Sequence, residues 1–161
     1  MTEHFDAPWG RTVKIVSVLS TGILLSVSAL GVFTFPRQNN FNHWLMVGGP
    51  LLILAGTALF AVCGYALEDG CLVIQRPCWQ TRFPLADVVS VAADPDAMKG
   101  SIRLAGDGGL FAFVGWFRNR KLSTYRAYVT DVNRCVVIRW PKRTIVISPG
   151  SPHRFIDALR Y

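Results

Sequence analysis

The amino-acid sequence predicts a membrane α plus all-β protein, in which two transmembrane helices precede a β barrel or sandwich closed by a C-terminal helix. Three observations predict it. Charged residues are absent from Ile15 to Pro36 and, with His43 neutral, from Gln38 to Leu67, so two segments can each cross ~30 Å of hydrocarbon. From Glu68 onward the texture changes to short apolar runs broken by Gly, Pro, Asp and Asn, the rhythm of β-strands and turns. Near the end, Ser151-Pro152 followed by Phe155, Ile156 and Leu159 reads as an N-cap, a proline at the first helical position and one apolar face. The 161 residues are 51% hydrophobic and 17% charged, more apolar than an average soluble domain, and the first two segments hold most of the excess.

Taken in order, residues 1–12 read as a short cytoplasmic tail, 13–35 as the first membrane helix, 36–43 as a tight loop, 44–67 as the second helix and 68–161 as the β domain. The run "IVSVLSTGILLSVSALGVFTF" also has the basic flank of a secretory signal. Its 21 residues exceed the ~7–15 of a signal core and a second apolar run follows at once, so an uncleaved helix is expected. Trp44 and Tyr65 suit the two interfaces of the second span, with Gly48-Gly49-Pro50 in its first turns. Gly22, Ser26, Gly56 and Gly64 are the small residues that would let helices approach. Arg11 and Lys14 before the spans and Arg76 and Arg82 after them, against Arg37 between, place both termini in the cytoplasm and the chain in the inner or plasma membrane. Cys63, within the second span, and Cys71, Cys78 and Cys135 form no C-x-x-C pair, and His4, His43 and His153 are scattered, so neither a disulfide framework nor a metal site is expected.

In the β domain, "CLVIQR" follows the turn signal Asp69-Gly70, and "WQTRFPL", "DVVSVAA", "SIRLAG" and "LFAFVGWF" come next. The last three runs, "TYRAYVT", "RCVVIRW" and "RTIVIS", are separated by Asp131-Val132-Asn133 and Pro141-Lys142, which predicts an antiparallel meander.

The tracts "YALEDGCLVIQRP", "FPLADVVSV", "GLFAFVGWF", "YRAYVTDVNRCVVIRW" and "ISPGSPHRFIDALR", placed after two hydrophobic spans, resemble bacterial pleckstrin-homology-like domain proteins anchored by a transmembrane hairpin. The resemblance runs from Tyr65 onward. It implies two near-orthogonal sheets closed by a C-terminal helix and, because a fold does not fix a function, little about the ligand.

No catalytic residue, cofactor or metal is predicted. The acids lie mostly beside Gly, Pro or Asn as turn residues, and there is no G-x-S-x-G, H-E-x-x-H or phosphate-loop motif. The chain carries +7, and residues 68–161 hold fourteen Lys and Arg against eight acids, so the basic excess lies beside the membrane. The densest basic and aromatic stretch, "GWFRNRKLSTYRAY", makes Trp116, Phe117, Arg118, Arg120, Lys121 and Arg126 the candidate contacts for anionic lipid headgroups. The plainer reading of the same stretch has Trp116 and Phe117 closing the core beneath a solvated loop, and nucleic acid is not expected of a membrane-tethered domain. The function predicted is a non-catalytic, membrane-anchored binding module for anionic headgroups or a protein partner; the alternative is an accessory or scaffold subunit of a membrane complex with no small ligand.

Overall fold

A computed structural model describes residues 3–34 and 40–159. The first described element is a strand, β1 (Glu3–Asp6), followed by α1 (Arg11–Thr34) and α2 (Asn40–Leu59). Nine strands follow, β2 (Gly64–Glu68), β3 (Cys71–Gln75), β4 (Gln80–Pro84), β5 (Ser90–Ala93), β6 (Ile102–Gly108), β7 (Phe113–Asn119), β8 (Ser123–Val129), β9 (Val136–Trp140) and β10 (Arg143–Ile147), and α3 (Pro152–Ala158) is the last element among the described residues. The strands form a four-stranded sheet in the order β1-β2-β3-β4 and a six-stranded sheet in the order β5-β9-β10-β8-β7-β6.

The two helices are long and apolar enough to cross a membrane, with mean hydropathy of 2.1 and 1.2. Only 17% and 6% of their most apolar windows are buried, so these helices present their apolar side chains outward, unlike core helices of a soluble domain. They are bound to each other where Gly31 faces Met46 and Val47: an added Cβ would lie 2.9 Å from Met46 Cβ, and the Ser28 hydroxyl donates to the Val47 carbonyl at 3.1 Å. The small residues expected to mediate that approach do not. Gly22 and Gly56 face open space, Ser26 bonds back to the Gly22 carbonyl, and Gly64 belongs to β2.

The second helix also ends sooner than the sequence reading placed it, at Leu59 instead of Leu67. Apolar composition continues through "FAVCGYAL", yet Tyr65, Ala66 and Leu67 pair with Ile74, Val73 and Leu72, so the last apolar residues are a strand with a buried face. Cys63 therefore lies between helix and strand, and because α2 starts at Asn40, Pro50 is inside the helix instead of in its first turns. The expected tail 1–12 is, from Glu3 on, no free segment either: Glu3 to Asp6 pair with Leu67 to Gly64, and Phe5 packs edge-on against Phe155 of α3 at 5.0 Å. The hairpin is thus an excursion between two adjacent strands. Of the expected loop 36–43, residues 36–39 lie outside the described residues, and 40–43 are the first turn of α2 instead of loop.

The main core lies between the sheets, where Tyr65, Leu72, Ile74 and Phe83 meet Tyr128, Val136, Ile138 and Ile147, with Phe155 and Ile156 of α3 closing one side. A second apolar cluster covers the other face of the large sheet, where Phe117, Tyr125, Val129 and Val137 pack under Ala97 and Met98. Central strands buried on both faces explain the unbroken runs "CVVI" and "TIVI". The expected meander is not what forms: β10 pairs antiparallel with β9 and parallel with β8, so it sits between them. Asp131 reads as a turn residue but caps a 3₁₀ turn at Val132–Arg134, its side chain accepting from Asn133 N, and this turn carries the chain past the place that β10 later takes.

A buried polar cluster ties the sheets together. The Tyr65 hydroxyl donates to the Tyr128 carbonyl at 2.6 Å and accepts from Ser148 N at 3.1 Å, while the Ser148 hydroxyl accepts from Thr130 N at 2.8 Å. Burial pushes the Tyr65 phenol up to about 12. Tyr65→Phe strands the Ser148 N–H and the Tyr128 carbonyl, and is expected to cost about 1–3 kcal/mol in a chemical denaturation series. Because the folded phenol lies above its ordinary value of 10, its contribution to stability is complete below that pH and lost as pH rises toward about 12. Melting curves of the wild type should fall across that window, and Tyr65→Phe should flatten part of the fall.

Candidate functional site

The β7–β8 hairpin is built around Asn119. Its Oδ1 accepts from Lys121 N and Leu122 N at 3.1 and 2.7 Å, and its Nδ2 donates to the Ala97 carbonyl at 2.7 Å, which fixes the turn on the loop that covers the second cluster. Leu122 is buried there, and the Lys121 ammonium pairs with Asp94. Phe117 is 4% exposed and stacks on Tyr125 at 6.2 Å. Strand alternation explains this division: Phe113, Phe117, Tyr125 and Ala127 point to the second cluster, while Val114, Trp116, Arg126 and Tyr128 point the other way.

The six residues singled out in the sequence are therefore not one surface. Phe117 is core, which removes it as a headgroup contact, and Lys121 is held by a carboxylate. Arg118 and Arg120 are exposed, and their guanidiniums form no ion pair among the described residues. Their turn lies at the opposite end of β7 from the loop that touches α1, roughly 20 Å along the strand. Trp116 and Arg126 share the remaining face, with the guanidinium 5.8 Å from the indole centroid.

That face borders a cleft of about 780 Å³ between the membrane hairpin and the large sheet. The helices contribute Val16, Ser20, Ile53 and Gly56, and Phe60 follows directly after α2; the domain contributes Arg76, Arg103, Arg126 and Asp107. Its floor includes the cross-strand pair Gly106 and Gly115, at φ 107° and 140°, where an added Cβ would come within 2.2 Å of a carbonyl of the opposite strand, so only glycine fits. At one end Ser17 fastens α1 to the sheet: its Oγ accepts from Phe111 N at 2.8 Å and approaches the Gly109 carbonyl at 3.4 Å.

Arg76 and Arg126 lie over the ring of Tyr128, at 5.3 and 5.4 Å from its centroid. Arg76 also sits 5.5 Å from the Phe60 ring and 5.6 Å from that of Trp79. Neither arginine has an ion pair among the described residues, and their Nε groups and the Tyr128 hydroxyl are buried without a hydrogen-bond partner. Desolvation lowers the pKa of the Arg76 guanidinium, the like charge of Arg126 adds to the fall, and Tyr128 opposes it. Arg103 donates to the Gly106 carbonyl at 3.3 Å. Burial raises the pKa of Asp107, whose Oδ1 is occupied in accepting from Leu110 N at 3.0 Å.

Each unpaired buried donor costs about 1–3 kcal/mol, and a phosphate or carboxylate between Arg76 and Arg126 would relieve that cost and screen their repulsion. Sequence reading missed Arg76 and Arg103 because each is an isolated cation in the chain; sheet order brings Arg103 of β6 toward Arg126, and Arg76 comes from the turn between β3 and β4.

Comparison with known proteins adds one result. The family model described as Bacterial PH domain matches residues 63–161, a stretch that contains every strand after β1 and the closing helix. Neither curated proteins nor solved structures give a significant match. With more than half of its length matched, two sheets around one core and a C-terminal helix against them, the chain belongs to the bacterial PH domain family.

Proposed function

We propose that this chain is a membrane-anchored, non-catalytic binding module that presents a basic PH domain at the cytoplasmic face of the inner or plasma membrane to anionic lipid headgroups. The observation that carries this reading is the placement of Arg76, Arg103 and Arg126 around one cleft where the hairpin joins the domain. Three guanidiniums against one carboxylate give that cleft a positive field, and at a membrane surface each basic group contributes ~1 kcal/mol of attraction to anionic lipid. The pairing of Asp6 with Gly64 puts both ends of the hairpin on one side, and the Arg11, Lys14, Arg76 and Arg82 flanks favour the cytoplasm for that side.

The binding reading is tested with the full chain in a neutral detergent, melted in the presence of mixed micelles. Phosphatidylglycerol at ~100 times its Kd should stabilise the chain by about 2.7 kcal/mol, and phosphatidylcholine should not. Equal shifts from both lipids would sink the reading. The orientation has its own test: a phosphatase reporter that works only outside the cytoplasm, fused after Tyr161, should be inactive.

One observation favours the second reading, an accessory subunit without a small ligand. Strand β6 ends the six-stranded sheet, and its Ile102 and Leu104 are 70% and 55% exposed, a free edge suited to a protein partner. A stoichiometric protein retained in mild detergent, and lost from an Ile102→Lys, Leu104→Lys variant, would favour it.

A further inference from the structure

The structure assigns the cleft between the hairpin and the large sheet to one anionic phospholipid of the surrounding bilayer, its phosphate taken between Arg76 and Arg126 and its chains leaving past Val16, Ile53 and Phe60. This rests on the binding reading above and gives that reading an occupant and a place, away from the basic β7–β8 turn.

The cleft is amphipathic in the sense that such a ligand requires. Its sheet side carries the three arginines and Asp107, and its helix side is Val16, Ile53, Gly56 and Phe60. The helix wall is continuous with the outer surface of the spans, since Ile53 and Phe60 are 53% and 48% exposed and Leu52 beside them is 75% exposed. Ser20 lies nine residues into α1 and Ile53 six residues before the end of α2, which is roughly 14 and 9 Å along the helix axes from the domain side. The cleft therefore reaches from the domain into the first turns of the spans, where headgroups give way to acyl chains.

At the polar end no carboxylate among the described residues pairs with Arg76 or Arg126. Arg76 and Arg126 lean on Tyr128 from positions close enough to repel each other, and the buried Nε groups of both and the Tyr128 hydroxyl have no partner. Asp107 is bonded to the loop that follows it and forms no ion pair with either. A phosphate diester accepts from guanidinium edges and a phenol together and brings the apolar chains that the helix wall would contact. Soluble phosphate satisfies the arginines but leaves that wall empty.

The experiment uses the full chain extracted from nanodiscs of phosphatidylcholine with a minority of phosphatidylglycerol, with bound lipid counted by native mass spectrometry. The wild type should retain one phosphatidylglycerol. The double variant Arg76→Gln, Arg126→Gln should lower retention at least tenfold, and Arg118→Ser, Arg120→Ser should leave it unchanged. Gly56→Leu keeps every charge and faces open space, so the chain should fold and melt as before while its side chain displaces the lipid. Asp107→Asn keeps the oxygen that accepts from Leu110 and removes the one negative charge, so retention should rise. Retention indifferent to both the arginine pair and Gly56→Leu, but lost with Arg118→Ser, Arg120→Ser, would overturn the cleft assignment and leave the anionic-lipid reading standing. Retention of phosphatidylcholine as strong as that of phosphatidylglycerol would overturn both. Inorganic phosphate displacing the lipid at micromolar concentration would overturn the lipid in favour of a free anion.

Discussion

The pairing of Asp6 with Gly64 at the edge of the small sheet is the constraint on which the rest of the arrangement depends. It makes the membrane hairpin a loop inserted between two neighbouring strands, so the chain leaves the domain and returns to it at almost the same point. A domain joined to a helix at one end can swing; one joined at both ends is held. Further bonds reinforce the attachment. Gly10 N donates to the Thr130 carbonyl at 2.8 Å, Gly150 N to the Asp6 carbonyl at 2.9 Å, and Ser17 ties the second turn of α1 to the β6–β7 loop. Arg154 of α3 reaches back to Glu3 at 2.9 Å, across most of the sequence. The family match starts at residue 63 and so leaves out the strand that imposes this geometry.

Much of the architecture was legible in the sequence, and the parts that were not share a physical cause. Long uncharged runs give helices, and "CLVIQR" after Asp69-Gly70 gives a strand, because each is a local pattern with a local reason. Strand β1 is only "EHFD", too short for alternation to show; what makes it a strand is β2 lying beside it and Phe155 waiting for Phe5. The end of α2 was misplaced because hydropathy does not change where helix becomes strand: Val62 and Tyr65 are as apolar in the domain core as they would be in a bilayer. The order β9-β10-β8 was hidden because turn residues mark where a chain bends but not which strand it then joins.

The candidate site shows the same limit more sharply. Adjacent charges in a sequence are visible, so the β7–β8 turn stood out, while a cleft drawn from α1, α2 and three separate parts of the domain leaves no local trace. Strand alternation is the one local signal there: period 2 along β8 puts Arg126 and Tyr128 on one face and Tyr125 and Ala127 on the other. The neighbours that give Arg126 its setting, Trp116 across the ladder and Arg76 from the β3–β4 turn, depend on register and packing.

How each cation is held decides what remains available for a ligand. Lys121 is matched by a carboxylate, so its charge is already neutralised and a new anion would have to displace Asp94. Arg76 and Arg126 are held instead by aromatic faces, at a worth of ~0.5–2 kcal/mol for each contact. A ring quadrupole fixes the position of a guanidinium and offsets part of its desolvation without taking its N–H groups, which stay in the plane of the fork. Those edges are what an oxyanion binds. Two such arginines on the one ring of Tyr128 repel each other, and an anion placed between them would replace that repulsion with an attraction to both.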